Sequence, residues 1–360
     1  MLRGRVTGQA TVRPLLAVSQ REFIVVRKFK RVTLDDIARA VNVSRATVSL
    51  ALNDKGNLPA SRREEIKKVA ADLNYVPNPL AQALRGGRTR TIGVVINYFS
   101  NIYFRDFYIG LEDSADTEGF SFIVSQTYEN IEKERNQVAR FMEYGVDGLI
   151  VLPCSQERSH LQRAMAVGIP VVLISNTLGA DFAAVVADNA RGTEMAVRHL
   201  LVRSEAPIYH IAGPQDQFCL RERSNTFKHI LHKERPDCDP AAHVYQAAGL
   251  RSQEGYRCIE KILAEHEPPF SLFVCNDETA MGVIRYAGEH RLSLPADLAI
   301  ACFSGDTSFS AMGLPVSTVA VQARRMGETT ARLLMGMIEN PEERDAPPVI
   351  TLPVTLQANF

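Results

Sequence analysis

Residues 31–53 read RVTLDDIARAVNVSRATVSLALN, and this stretch decides the fold of the first part of the chain. Thr33 followed by Asp36 makes a capping-box-like start. Leu34, Ile37, Ala38 and Val41 then fall on one helical face at i, i+3, i+4, i+7 spacing, so a first helix of about seven or eight residues is expected. Val41-Asn42-Val43-Ser44 supplies two apolar anchors, a residue tolerant of a turn, and an N-cap. A second helix therefore begins at Arg45, with Val48 and Leu52 inward and Arg45, Ala46, Ser49 and Leu50 outward. In a helix-turn-helix the first helix crosses the DNA backbone and the start of the second enters the major groove, so Arg45 and its neighbours are the natural base readers. An ordinary helical hairpin is the bland alternative.

Working outward, Ser61 and Glu64 read as a capping box opening a third helix whose apolar stripe is Ile66, Val69, Ala70 and Leu73. Asn74-Tyr75-Val76-Pro77-Asn78-Pro79 cannot continue that helix, and Asn78 with Pro79 makes an N-cap and first-turn pair for a short segment stopped by Gly86-Gly87. At about six residues this segment is too short to persist alone in water and is expected to fold only when docked. Leu84 on such a segment suits the apolar wedge that minor-groove proteins push between base steps.

The helix-turn-helix and the following LNYVPNPLAQALRGG resemble the headpiece and hinge of the LacI/GalR family of bacterial transcription regulators, and the resemblance continues to Phe360. It implies a dimer on a palindromic double-stranded DNA operator, with Arg45, Ala46 and Leu50 at base-reading positions and Leu84 in the minor groove. Leu50 departs from the polar residue that the lac and purine repressors carry at that place. The full set of candidate DNA contacts is Thr33, Leu34, Ser44, Arg45, Ala46, Thr47, Ser49, Leu50, Asn53, Asn78, Leu80, Ala81 and Leu84.

Charge divides along the same line. Residues 1–90 hold 18 Lys/Arg against 7 Asp/Glu, a net of +11, and the remaining 23 against 34 leave residues 91–360 at −11. A basic headpiece supplies phosphate neutralisation, while an acidic remainder is repelled by DNA. Residues 1–30 form a basic arm, expected to be disordered or to follow a start placed too far upstream; their apolar run Pro14 to Val18 is too short for a signal peptide or a span. A cytoplasmic protein is expected. The six cysteines form no C-x-x-C pair and read as reduced, buried thiols. His229 and His232 lack further ligands, so neither a metal nor any other cofactor is expected.

From Thr91 on, TIGVVIN, FSFIVSQ, GLIVLP, PVVLISN and AAVVAD, then PIYHIAGP, HVYQAAG, SLFVCND and LAIACFS, are strand-like runs separated by amphipathic stretches. They predict an α/β core of two doubly wound parallel-sheet lobes with a ligand cleft at the strands' carboxyl ends. The resemblance makes this the periplasmic-binding-protein-like core of the family, with a last helix near Ala323–Glu339 returned to the first lobe. The division expected is 31–75 headpiece, 76–89 hinge and 90–360 core, with lobe 1 at about 90–188 and 321–345 and lobe 2 at about 189–320 and 346–360. No tetramerising heptads follow VTLQANF, in keeping with a homodimer.

Cleft candidates follow from strand ends. Tyr98, Phe99, Tyr103 and Phe104 offer aromatic faces to a ring, or else pack the core or dimer. By resemblance Arg223, with Cys219 a turn before it, clamps effector oxygens, a task suited to a planar fork. Asn276 with Asp277, Ser175 with Asn176, and Ser304 end three further strands. Sugar-responsive members commonly carry aspartates where Ser175 and Ser304 stand, which shifts the expected effector from a sugar towards a sugar phosphate or sugar acid. A periplasmic-type sugar-binding transport protein would share the two lobes but has no use for a helix-turn-helix. An enzyme is not expected, since no P-loop, G-x-S-x-G or HExxH occurs.

Overall fold

The computed structural model describes residues 32–76, 88–99, 102–115, 118–203, 205–304, 308–341 and 346–360. The basic arm and the hinge residues Asn78, Leu80, Ala81 and Leu84 therefore lie outside the described residues. The chain divides into two units, residues 1–78 and 79–360.

In the first unit, α1 (Leu34–Ala40) opens with the full capping box: the Thr33 side chain accepts from Asp36 N, and Asp36 Oδ2 accepts from Thr33 N at 2.9 Å. Asn42 takes the left-handed conformation (φ 51°) that the tight turn requires. Ser44 then caps α2 (Arg45–Leu52) by accepting from Thr47 N. The third helix, α3 (Ala60–Asp72), differs from expectation. Its N-cap is Pro59, without a side-chain cap bond, so Ser61 lies inside the first turn and no capping box forms. The proline sets the backbone at the entry, and the helix starts before the Ser61–Glu64 pair can bracket it. Ile37, Val48, Ala51 and Ile66 are fully buried and join the three helices, while Leu73, expected on the same stripe, is the C-cap of α3 and 37% exposed. Arg62 Nη2 donates to Val41 O at 2.6 Å and ties α3 to the end of α1.

The second unit holds two six-stranded sheets. The first contains β1 (Thr91–Ile96), β2 (Ser121–Gln126), β3 (Gly148–Val151), β4 (Val171–Ile174), β5 (Ala183–Ala187) and β11 (Val349–Leu352), in the order β11-β5-β4-β3-β1-β2, all parallel. The second contains β6 (Ile208–Ala212), β7 (Val244–Gln246), β8 (Phe270–Val274), β9 (Leu298–Ser304), β10 (Val316–Val321) and β12 (Val354–Gln357), in the order β12-β10-β9-β8-β6-β7; only β12 is antiparallel. The central strands are buried on both faces, which explains their continuous apolar runs.

Alternation sends Ile92, Val94 and Ile150 to one face of the first sheet and Val95, Leu149 and Val151 to the other. The first face is covered by α4 (Ile102–Ala115) and α12 (Ala323–Glu339), the second by α5 (Ile131–Glu143) and α6 (Ser159–Ala166). In the second lobe α7 (Asn189–Arg203) and α8 (Phe218–Glu234) cover one face, and α9 (Ser252–Glu265) with α10 (Asp277–Glu289) the other; α11 (Ser308–Ala311) is a single turn.

Residues 349–352 belong to the first sheet, where they pair with β5, and not to the second lobe as expected. The run VITLPVTLQ reads as one segment, yet Pro353 breaks it and sends β11 and β12 to different sheets. The chain thus crosses between lobes at Asp188, Gln322 and Pro353. Asp188 N donates to Leu352 O at 3.0 Å and Gln322 Nε2 to Pro353 O at 3.1 Å, so the three crossings are bonded side by side.

Candidate DNA interface and effector cleft

On the headpiece, Arg45, Ala46 and Leu50 are exposed and Ser49 is half-buried on the outer face of α2. Arg45 lies 3.9 Å from Asp35, both side chains 60% exposed, so this ion pair is solvated and leaves the guanidinium available at small cost. Thr33, Ser44 and Asn53 serve the helix ends: Asn53 Nδ2 donates to Ser49 O at 2.7 Å, and Ser44 Oγ lies 2.8 Å from Thr47 Oγ1. Leu34 packs partly into the core.

In the second unit a cleft opens where strands of both sheets end, with an empty volume of about 850 Å³ that reaches solvent. Of the expected residues, Tyr98, Tyr103, Phe104, Ser175, Cys219, Arg223 and Asn276 line it. Tyr103 Oη sits 3.0 Å from Ser175 Oγ and 2.7 Å from Met326 Sδ, which holds the ring against the floor; burial pushes its phenol upward. Asn276 caps α10 by accepting from Thr279 N and donates from Nδ2 to Leu250 O. Phe99 does not line the cleft; it is 53% exposed, turned away where the chain leaves β1. Asn176 is fully buried behind the cleft, where Nδ2 donates to Pro153 O and Oδ1 accepts from Cys219 N, tying the first lobe to the start of α8. Ser304 ends β9, and its side chain lies outside the described residues.

Arg223 is the fixed cation of the cleft. Nε donates to Asn189 Oδ1 at 2.9 Å, Nη1 donates to Cys275 O at 2.7 Å, and the guanidinium carbon lies 3.6 Å from the Phe303 ring centroid. Burial lowers its pKa, and the same burial raises the Cys219 thiol and pushes Cys275 to about 12, so these thiols stay protonated.

The expected bias towards an anion does not match the lining. Glu129, Asp277 and Glu278 share the cleft with Arg223, and at its rim Arg251 lies 3.7 Å from Glu278, so three carboxylates face two guanidinium groups. Burial raises Glu129, opposed by its bond to Tyr98, and burial raises Glu278, opposed by Arg251. Glu129 Oε1 is shielded from solvent and has no hydrogen-bond partner among the described residues. These carboxylates enter from the loop after β2 and the start of α10. Sequence reading missed Glu129, Asn189, Glu278 and Phe303. Asn189 and Phe303 carry a usable signal, since each sits at or beside the carboxyl end of a strand-like run; Glu129 lies three residues past β2 on a loop and carries none.

His229 and His232 are exposed on α8, and no cluster of three or more His, Cys, Asp or Glu among the described residues has a metal-holding arrangement. Among the same residues no helix is long and apolar enough to cross a membrane.

A helix-turn-helix unit joined to a two-lobed α/β unit with a cleft at the strand ends defines a ligand-responsive DNA-binding transcription regulator. The lacI-family model of bacterial regulatory proteins matches residues 33–78, and a periplasmic binding protein-like domain model matches 197–358. Catabolite control protein A of Priestia megaterium is 31% identical over 309 residues, spanning 84% of this chain and 91% of that protein. The ribose operon repressor of Halalkalibacterium halodurans is 27% identical over 307 residues, 85% of this chain and 90% of that protein. The lac repressor dimer bound to operator and an anti-inducer shares the fold, with a TM-score of 0.77 at 24% identity over 92% of this chain and 99% of that one. The chain belongs to the lacI family of bacterial regulatory proteins.

Proposed function

We propose that this regulator is a repressor without enzymatic activity that acts in the cytoplasm as a homodimer on a two-fold symmetric operator, and that a small polyhydroxylated metabolite bound between the lobes controls it. The observation that carries the effector reading is the cleft's mixed polarity. Arg223 is held rigidly by Asn189 and Cys275 O, where it can meet ligand oxygens, while Glu129 keeps a buried oxygen that a ligand hydroxyl would satisfy. Three carboxylates against Arg223 and the rim Arg251 leave the cleft with an acidic excess, which favours a neutral sugar over a sugar phosphate or sugar acid. The Tyr98 and Phe104 walls supply apolar faces for a ring.

Two measurements test this. Selection from random duplex DNA should return palindromes; single asymmetric sites would overturn the dimeric operator. A thermal-shift screen of sugars, sugar phosphates and sugar acids should show stabilisation by a neutral compound that is weakened in Glu129→Gln. Stabilisation by phosphorylated compounds alone, indifferent to Glu129, would overturn the neutral-sugar reading.

A further inference from the structure

The outer face of α2 is mixed in chemistry. Arg45 and Ser49 are polar, whereas Ala46 and Leu50, one turn apart at i and i+4, make a continuous apolar strip on the helix that the motif presents to the major groove. Leu50 is 42% exposed although the headpiece core is only a few residues away. Its placement is built. Lys55 N donates to Leu50 O at 2.9 Å, which folds the chain back under the leucine. Gly56, at φ +77°, then lays its backbone against the side chain, so that a carbon substituent there would sit 3.2 Å from Leu50 Cδ1. One flank of the leucine is thereby packed and the other is left open.

An isobutyl group has neither donor nor acceptor. Set over guanine N7 and O6 or over the adenine edge, it would strip water from polar atoms and return no hydrogen bond. The single apolar feature of the major groove is the thymine C5 methyl. We infer that Leu50 is a specificity-determining residue that reads a thymine methyl in each half-site, so that this regulator selects thymine where a polar residue at the same place would select a hydrogen-bonding base edge. The inference rests on the DNA-binding reading and goes beyond it by naming the base feature recognised.

The test uses the full chain, as wild type, Leu50→Ala and Leu50→Met, in selection from random duplex DNA. Wild type and Leu50→Met should return thymine at one position of each half-site, and Leu50→Ala should lose that preference alone. Replacing that thymine by deoxyuridine removes only the methyl. At the free energy of one buried methyl-sized group, wild-type affinity should fall about fourfold for one half-site and about fifteenfold for both. Leu50→Ala should bind the two duplexes alike, and its salt-dependent binding to random DNA should match wild type, which excludes a misfolded headpiece. Cytosine at the same position should gain affinity for wild type when it is 5-methylated. Identical base preferences for wild type and Leu50→Ala, or equal responses of the two to every deoxyuridine substitution, would overturn the inference. Failure of wild type to enrich any sequence would overturn the DNA-binding reading itself, and this inference with it.

Discussion

Two arginines divide the work of the protein between its units. Arg45 stands at the first position of α2 with only a solvated partner, so its fork is free to take both acceptors of a guanine edge. Arg45→Ala should weaken operator binding by about 1–3 kcal/mol and relax preference at one base pair, while random-DNA affinity changes little; titration of operator variants reads both. Arg223 is the opposite case, because two of its nitrogens are already spent on Asn189 and Cys275 O. Arg223→Met should abolish effector-induced thermal stabilisation and also lower chain stability by about 1–3 kcal/mol, since two buried acceptors lose their donor. Equal effector response in wild type and variant would remove Arg223 from the ligand contacts. Arg45 was legible in the sequence because the helix-turn-helix brackets it, and Arg223 because the family resemblance places an arginine there. Glu129 was not, because its place in the cleft depends on a loop conformation, with both Tyr128 and Glu129 at positive φ, that no local pattern announces.

At the scale of elements, each lobe contains one pair of helices in backbone contact. In the first lobe Gly110 and Gly327 face each other across α4 and α12, where a side-chain carbon would clash at 1.9 Å from Arg324 O and 2.0 Å from Phe107 O. In the second, Gly255 and Gly282 do the same for α9 and α10, at 1.9 Å from Thr279 O and 1.8 Å from Ser252 O. Gly327→Ala should push α12 off α4 and cost about 1–3 kcal/mol, read as a lowered urea midpoint. An unchanged midpoint would mean that the pair separates freely. The strands and helices themselves were mostly readable, because buried parallel strands leave unbroken apolar runs and α12 keeps its stripe. What failed were boundaries that a single proline decides. Pro59 moved the start of α3, and Pro353 split VITLPVTLQ between two sheets, since pairing partners far along the chain determine which sheet a short strand joins. β10 was passed over because Ser317 and Thr318 interrupt its apolar run, and its place is defined by its neighbours β9 and β12.

One buried ring gives the whole molecule a pH-dependent share of its stability. His210 on β6 is fully buried, its Nδ1 is 2.9 Å from Phe273 O, and burial, reinforced by Arg223 and Lys228, lowers its pKa to about 4. An unfolded histidine titrates near 6.5, so as pH falls the unfolded chain takes up this proton first. The stability tied to the neutral ring is complete above about pH 6.5 and is lost between there and about pH 4. From pH 7 to pH 5 the loss from this group should be roughly 2 kcal/mol, and His210→Phe should flatten that part of the urea-stability profile. A variant with the wild-type slope would assign the dependence elsewhere. Finally, the side-by-side bonding of the crossings at Asp188, Gln322 and Pro353 has a mechanical meaning. Three ligaments clamped in a row act as a flexure: they bend readily about the line that joins them and resist both twist and shear. Such a hinge favours an opening angle as the soft coordinate between the lobes, and an occupant that touches both lobes is expected to set it. A compound that touches one lobe alone is expected to bind without changing that angle.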